Sequence, residues 1–97
     1  MPGTGIKKAV IEEICSLAQK YKLKRVILFG SRARGDYERA SDIDLAVCGG
    51  NVSLFALDVE EETFTPLKYD VVDLDGNVQD ELRKSIQAEG IVLYEEI

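Results

Sequence analysis

The chain has 97 residues, with 12 Lys and Arg against 18 Asp and Glu, a formal net charge of −6 and no histidine. That length suits one small domain around one core, and residues 1–97 are read here as a single unit. Without imidazole there is no Ser-His-Asp triad or His-ligated zinc, and the acidic balance argues against nucleic acid or an anionic membrane as a partner of the overall field. Two cysteines, Cys15 and Cys48, are too few for a zinc site or a disulfide framework. Residues 1–8 lack the apolar stretch of a signal peptide, and no apolar run nears the ~20 residues that span a bilayer. A cytoplasmic protein with reduced thiols is expected. Its chemistry falls to carboxylates and to any metal they hold.

Ile6, Val10, Ile14, Leu17, Ala18 and Tyr21 recur at helical spacing, predicting a first helix over about 4–21. The apolar run 25–29, closed by Gly30, reads as a buried strand. Residues 31–41 are polar, with three arginines and a glycine, and read as a loop with room for one helical turn. A second strand runs over 43–48 and stops at Gly49-Gly50. A helix over 53–63 with Ser53 as its cap follows, then a third strand over 69–74. A helix capped by Asn77 and ended at Gly90, and a last strand over 91–94, complete the chain. The order α-β-β-α-β-α-β predicts an α/β (α+β) fold: a small mixed sheet of about four strands with helices on one face.

Within this frame the informative segment is 29–47. Asp is disfavoured in strands, yet Asp42 and Asp44 flank Ile43 at the start of an otherwise apolar one. The period of two puts both carboxylates on one face, roughly 7 Å apart at Cα, with Ile43, Leu45 and Val47 on the other. Like charges so close repel unless a cation lies between them, and oxygen ligands suit Mg²⁺. The plain alternative is a strand end with two solvated acids. Gly30-Ser31 follows a strand directly, where a glycine permits close backbone approach and the next N–H groups can face an anion. It is neither a Walker A loop nor a GxGxxG fingerprint, and alone it is an ordinary turn. Paired with the acids at a ten-residue spacing, G-S-x10-D-x-D arises by chance in a chain this long on the order of once in a thousand.

Gly30-Ser31-x10-Asp42-x-Asp44 resembles the signature of the polymerase-β-like nucleotidyltransferase superfamily. The fuller text over 26–48, Phe-Gly-Ser-Arg-Ala-Arg-Gly and then Ser-Asp-Ile-Asp-Leu-Ala-Val, is similar to its minimal nucleotidyltransferase branch. The resemblance implies a nucleotidyltransferase-like core in which Gly30 and Ser31 hold a triphosphate and Asp42 and Asp44 bind two divalent ions, Mg²⁺ or Mn²⁺. It also implies a third carboxylate on a later strand, completing the metal site and activating the acceptor hydroxyl. The family pattern favours Asp70; strand alternation by itself leaves Asp73 open, and Asp75 goes with the turn at Gly76. Arg32 is retained as a triphosphate-binding candidate, while Arg34 and Arg39 are left unassigned. The implied activity is transfer of AMP from ATP to a hydroxyl of a partner protein, with this chain as the antitoxin of a helical HEPN-type toxin. A non-catalytic antitoxin acting by contact, or a small-molecule nucleotidyltransferase needing a second chain, are the rival readings. Cys15 and Cys48 read as packing residues and Glu60–Glu62 as a solvated helix face.

Overall fold

The computed structural model describes residues 3–96. Helix α1 (Lys8–Lys20) is followed by β1 (Leu23–Phe29), a single turn α2 (Ser31–Arg34), β2 (Ile43–Gly49), α3 (Val52–Glu62), β3 (Tyr69–Asp73), α4 (Asp80–Glu89) and β4 (Ile91–Glu95). The strands form one mixed sheet in the order β3-β2-β1-β4. β1 runs antiparallel to both β2 and β4, and β2 runs parallel to β3. Parallel neighbours need a crossover, and α3 supplies it. Among the described residues no helix is long and apolar enough to cross a membrane.

Helices lie on both faces of the sheet, which corrects the one-sided arrangement expected from the sequence. On one face α1 and α3 pack Val10, Ile14, Leu17, Phe55 and Val59 against Val26, Leu28, Leu45 and Val47. On the other, α4 sets Ile86 and Leu82 against Ile27, Phe29, Ala46 and Val72. The reason is visible in β1: Val26, Ile27, Leu28 and Phe29 are apolar on both faces, and a two-sided strand needs cover on both.

Helix ends differ from expectation by a few residues. α1 begins at Lys8, because Thr4 and Ile6 form a buried lead-in in which the Thr4 hydroxyl accepts the Ile6 N–H at 3.2 Å. α3 begins at Val52 because the Asn51 carboxamide, rather than Ser53, accepts the Leu54 N–H at 3.2 Å. α4 begins at Asp80 with Gln79 at its cap position, leaving Asn77 and Val78 in the irregular connection before it. The two thiols are half-buried, as packing residues; Cys15 donates to the Leu93 carbonyl at 3.2 Å. Glu60, Glu61 and Glu62 are exposed.

Candidate active site

β1 and β2 are antiparallel neighbours, so the end of one lies beside the start of the other. Phe29 is paired across the ladder with Asp44. The chain leaves β1 at Gly30, makes the α2 turn, loops through 35–42 and returns beside its own exit. The ten-residue spacing of the motif is therefore the length of one loop joining adjacent strand ends.

At Gly30 the backbone takes φ +74°, and a Cβ placed there would overlap the Asp44 carboxylate. An L-residue is strained in that conformation, so glycine lets the strand end and the acid approach each other. Ser31, half-buried, opens α2, whose first N–H groups have no partner within the turn.

Asp44 lies on the α4 face of the sheet, alternating with Ile43 and Leu45 on the α1/α3 face. Asp42 shares that side of the strand. In the parallel ladder Asp44 is paired with Asp70, and Val47 with Asp73. Asp70 and Val72 share the α4 face, whereas Asp73 falls on the opposite one. The Asp73 carboxylate accepts the Asp75 N–H at 2.9 Å, and Asp75 in turn accepts the Gly49 N–H at 2.7 Å. The structure thus brings Asp42, Asp44 and Asp70 together and gives Asp73 and Asp75 to a turn.

Burial pushes the Asp44 carboxyl above the ordinary carboxylate range, the negative charges of Asp70 and Asp42 push it further, and Arg34 pulls it back. Carboxylates that raise one another in this way suit a cation between them. Among the described residues no three His, Cys, Asp or Glu side chains are placed so that they could hold a metal ion together. The donor set fits the opposite case, a Mg²⁺-like ion taking one or two carboxylates and completing its shell with water and phosphate oxygens.

Arg32 lies apart from this cluster, among backbone carbonyls. It is 2% exposed. Its Nη1 donates to the Thr4 carbonyl at 2.9 Å, Nε to Ser41 at 3.0 Å and Nη2 to Arg39 at 3.3 Å, while its guanidinium stacks 4.8 Å from the centre of the Tyr37 ring. Arg32 laces the loop to the N-terminal segment directly before Asp42. The cation that acts on Asp44 is Arg34, exposed and paired with Asp36 at 3.2 Å and Glu89 of α4 at 3.4 Å. Two residues apart in a helical turn means about 200° around the axis, so when one arginine enters the protein the other faces out.

The family model described as "Polymerase beta, Nucleotidyltransferase" matches residues 12–96. "Putative protein adenylyltransferase MJ0604" of Methanocaldococcus jannaschii is 35% identical over 100 residues, 91% of this chain and 97% of that protein. A structure described as a "putative minimal nucleotidyltransferase" superposes with a TM-score of 0.68 at 30% identity, covering 87% of this chain and 89% of that one. A toxin-antitoxin crystal structure with AMP-PNP superposes with a TM-score of 0.68 at 26% identity, covering 89% and 73%.

Proposed function

Because the chain belongs to the polymerase-β nucleotidyltransferase family, we propose that it transfers AMP from ATP to a hydroxyl of a partner protein. The observation that carries the reading is the grouping of Asp42, Asp44 and Asp70 beside Gly30, with the Asp44 carboxyl held up by burial and by its acidic neighbours. A protein acceptor is supported by the archaeal relative named as a protein adenylyltransferase, and a nucleotide by the toxin-antitoxin neighbour with AMP-PNP. By the same likeness the partner is a toxin, of the helical HEPN type that the sequence resemblance implies.

In this reading Asp42 and Asp44 would hold divalent ions, with Asp70 beside them. Bound there, the ions would supply positive charge to the triphosphate. Gly30 and Ser31 bring main-chain N–H groups to the phosphates, and Arg34 leaves its carboxylate partners to meet them. Asp70 accepts the proton of the acceptor hydroxyl as its oxygen bonds to the α-phosphorus; the α–β bond breaks and pyrophosphate leaves. Positioning and charge supply most of the rate in such transfers.

The test is mass spectrometry of a co-expressed candidate toxin, with wild type and Asp70→Asn run side by side. An added mass of one AMP with wild type, and none with the variant, is expected. Rescue from toxicity by both proteins without added mass would establish a contact-only antitoxin instead.

A further inference from the structure

β3 is an edge of the sheet, with β2 on one side only. Which of its main-chain groups that pairing uses follows from the two ends of the ladder. The Ile43 N–H donates to the Lys68 carbonyl at 2.8 Å, and the Leu74 N–H donates to the Val47 carbonyl at 2.8 Å. Between these ends the register is unbroken, Ile43 with Tyr69 through Val47 with Asp73. In a parallel ladder alternate residues face the partner, so Asp70 and Val72 turn their N–H and C=O groups to β2. Tyr69, Val71 and Asp73 turn theirs outward. Among the described residues the Asp73 carbonyl accepts the Gly76 N–H at 3.1 Å, and the other outward groups have no backbone partner. The opposite edge differs. There the register of β4 with β1 shifts between Val26 and Ile27, and an irregularity of that kind blunts an edge against further pairing. β3 carries neither a shift nor a proline.

We propose that this edge docks the acceptor: an extended, basic segment of the partner protein adds to β3 as a fifth strand and sets its hydroxyl residue opposite Asp70. The proposal rests on the transfer reading, since it places the segment that carries the acceptor hydroxyl. Position selects the occupant. A strand added to an edge lies about 4.8 Å away, and residues facing each other across the new pair share a sheet face with Cβ atoms about 5 Å apart. Asp70 is exposed and stands on the α4 face, paired with Asp44. A hydroxyl side chain added opposite it therefore comes within reach of its carboxylate. The outward groups of Tyr69 and Val71, on either side of Asp70, would hold that register through main-chain bonds. Charge narrows the choice further. Asp70 and Asp73 are exposed along the strand and Asp75 follows, against Lys68 alone, so a lysine- or arginine-bearing segment is the complement. A second copy of this chain, of net charge −6, would bring a second set of the same acids to the edge.

The experiment uses short labelled peptides that alternate lysine and threonine around a central tyrosine, added to the full chain. Binding is followed by fluorescence anisotropy and the edge by hydrogen exchange. The peptide is expected to bind and to slow exchange at the Tyr69, Val71 and Asp73 amides at least tenfold. N-methylation of one alternate set of its amides, the set that meets β3, should weaken binding at least tenfold, while methylation of the other set is tolerated. Glutamate in place of lysine should abolish binding. Val71→Pro removes an outward N–H that the β2 ladder does not use, a place where an edge strand accepts proline, and should weaken the peptide at least tenfold. If that variant fails to fold, the two methylated peptides on wild type decide. Unprotected amides, equal effects of the two methylation sets, equal binding of the glutamate peptide or undiminished binding by folded Val71→Pro would each overturn the proposal. So would self-association in sedimentation that Val71→Pro removes, which would make a second copy the occupant. ATP binding by wild type is measured in parallel. If ATP binds and the edge stays unprotected, docking fails and the transfer reading stands; if the edge is protected and no ATP binds, it is the transfer reading that fails.

Discussion

Asp44 of β2 and Asp70 of β3 are partners in the parallel ladder, each the first acid of its strand to face α4. Two carboxylates placed opposite each other weaken a sheet. Their placement at the end of the sheet reached by Gly30 fits the proposed site for cations and phosphates, and it leads to measurable consequences.

The first concerns stability against pH. Because Asp44 titrates above its ordinary range in the folded chain, the native state keeps its proton to higher pH than the unfolded chain does. Its ionisation therefore opposes folding: the penalty is absent below the unfolded pKa of about 3.9, grows as the pH rises through the folded value and is complete above it. Asp44→Asn should raise Tm at about pH 7 by a few degrees, with the gain shrinking towards pH 4. Melting curves of both proteins across that interval check this; a gain independent of pH would assign it to packing.

Divalent ions should relieve the same repulsion. Mg²⁺ is expected to raise the Tm of wild type and to strengthen ATP binding, and Asp42→Asn with Asp44→Asn to remove both effects. Calorimetry with and without EDTA reads this directly, and equal ATP affinity in the two conditions would contradict it.

Asp70 and Asp73 should part company. Asp70→Asn is expected to keep most nucleotide affinity while losing transfer by ~10²–10⁴-fold, the scale of a lost general base. Asp73→Asn, on the opposite face, should transfer AMP at nearly the wild-type rate. Labelled AMP transfer to the partner separates them.

At Gly30 an alanine must adopt a positive φ and displace the Asp44 carboxylate. Gly30→Ala should cost about 1–2 kcal/mol from the backbone alone, a fall in Tm on the order of 5–15 °C, together with loss of ATP binding. Thermal melts and fluorescence competition give the two readings.

The arginines provide a paired contrast. Arg32→Ala strands the buried Thr4 carbonyl and frees those of Ser41 and Arg39, and should cost roughly 2–3 kcal/mol. Arg34→Ala removes only exposed ion pairs, worth ~0–1 kcal/mol, and should instead weaken ATP binding about tenfold or more. Denaturant titrations and binding isotherms distinguish a loss of fold from a loss of ligand.

How much of this was legible in the sequence depends on the range of the contacts involved. Strands and the Asp42–Asp44 face follow from a period of two, a local property. The choice of Asp70 over Asp73 depends on ladder register, fixed by the β2–β3 pairing across the α3 crossover, which alternation within one strand does not contain. The second helical layer was signalled by the two-sided apolar run 26–29 but needed α4 to be placed. The backbone contacts of Arg32 were not legible because its partners include Thr4, 28 residues away; a basic loop near a motif looks the same whether its arginine grips phosphate or backbone.

The Arg32–Thr4 bond also reaches beyond the loop it holds. The guanidinium fastens the two ends of the 32–41 stretch to a lead-in that precedes the first helix, so the position of Asp42 is braced from outside its own strand. Tension or trimming at the amino end would thereby be transmitted to the candidate site: a fusion that pulls Thr4 out of its burial should loosen Asp42 without touching it.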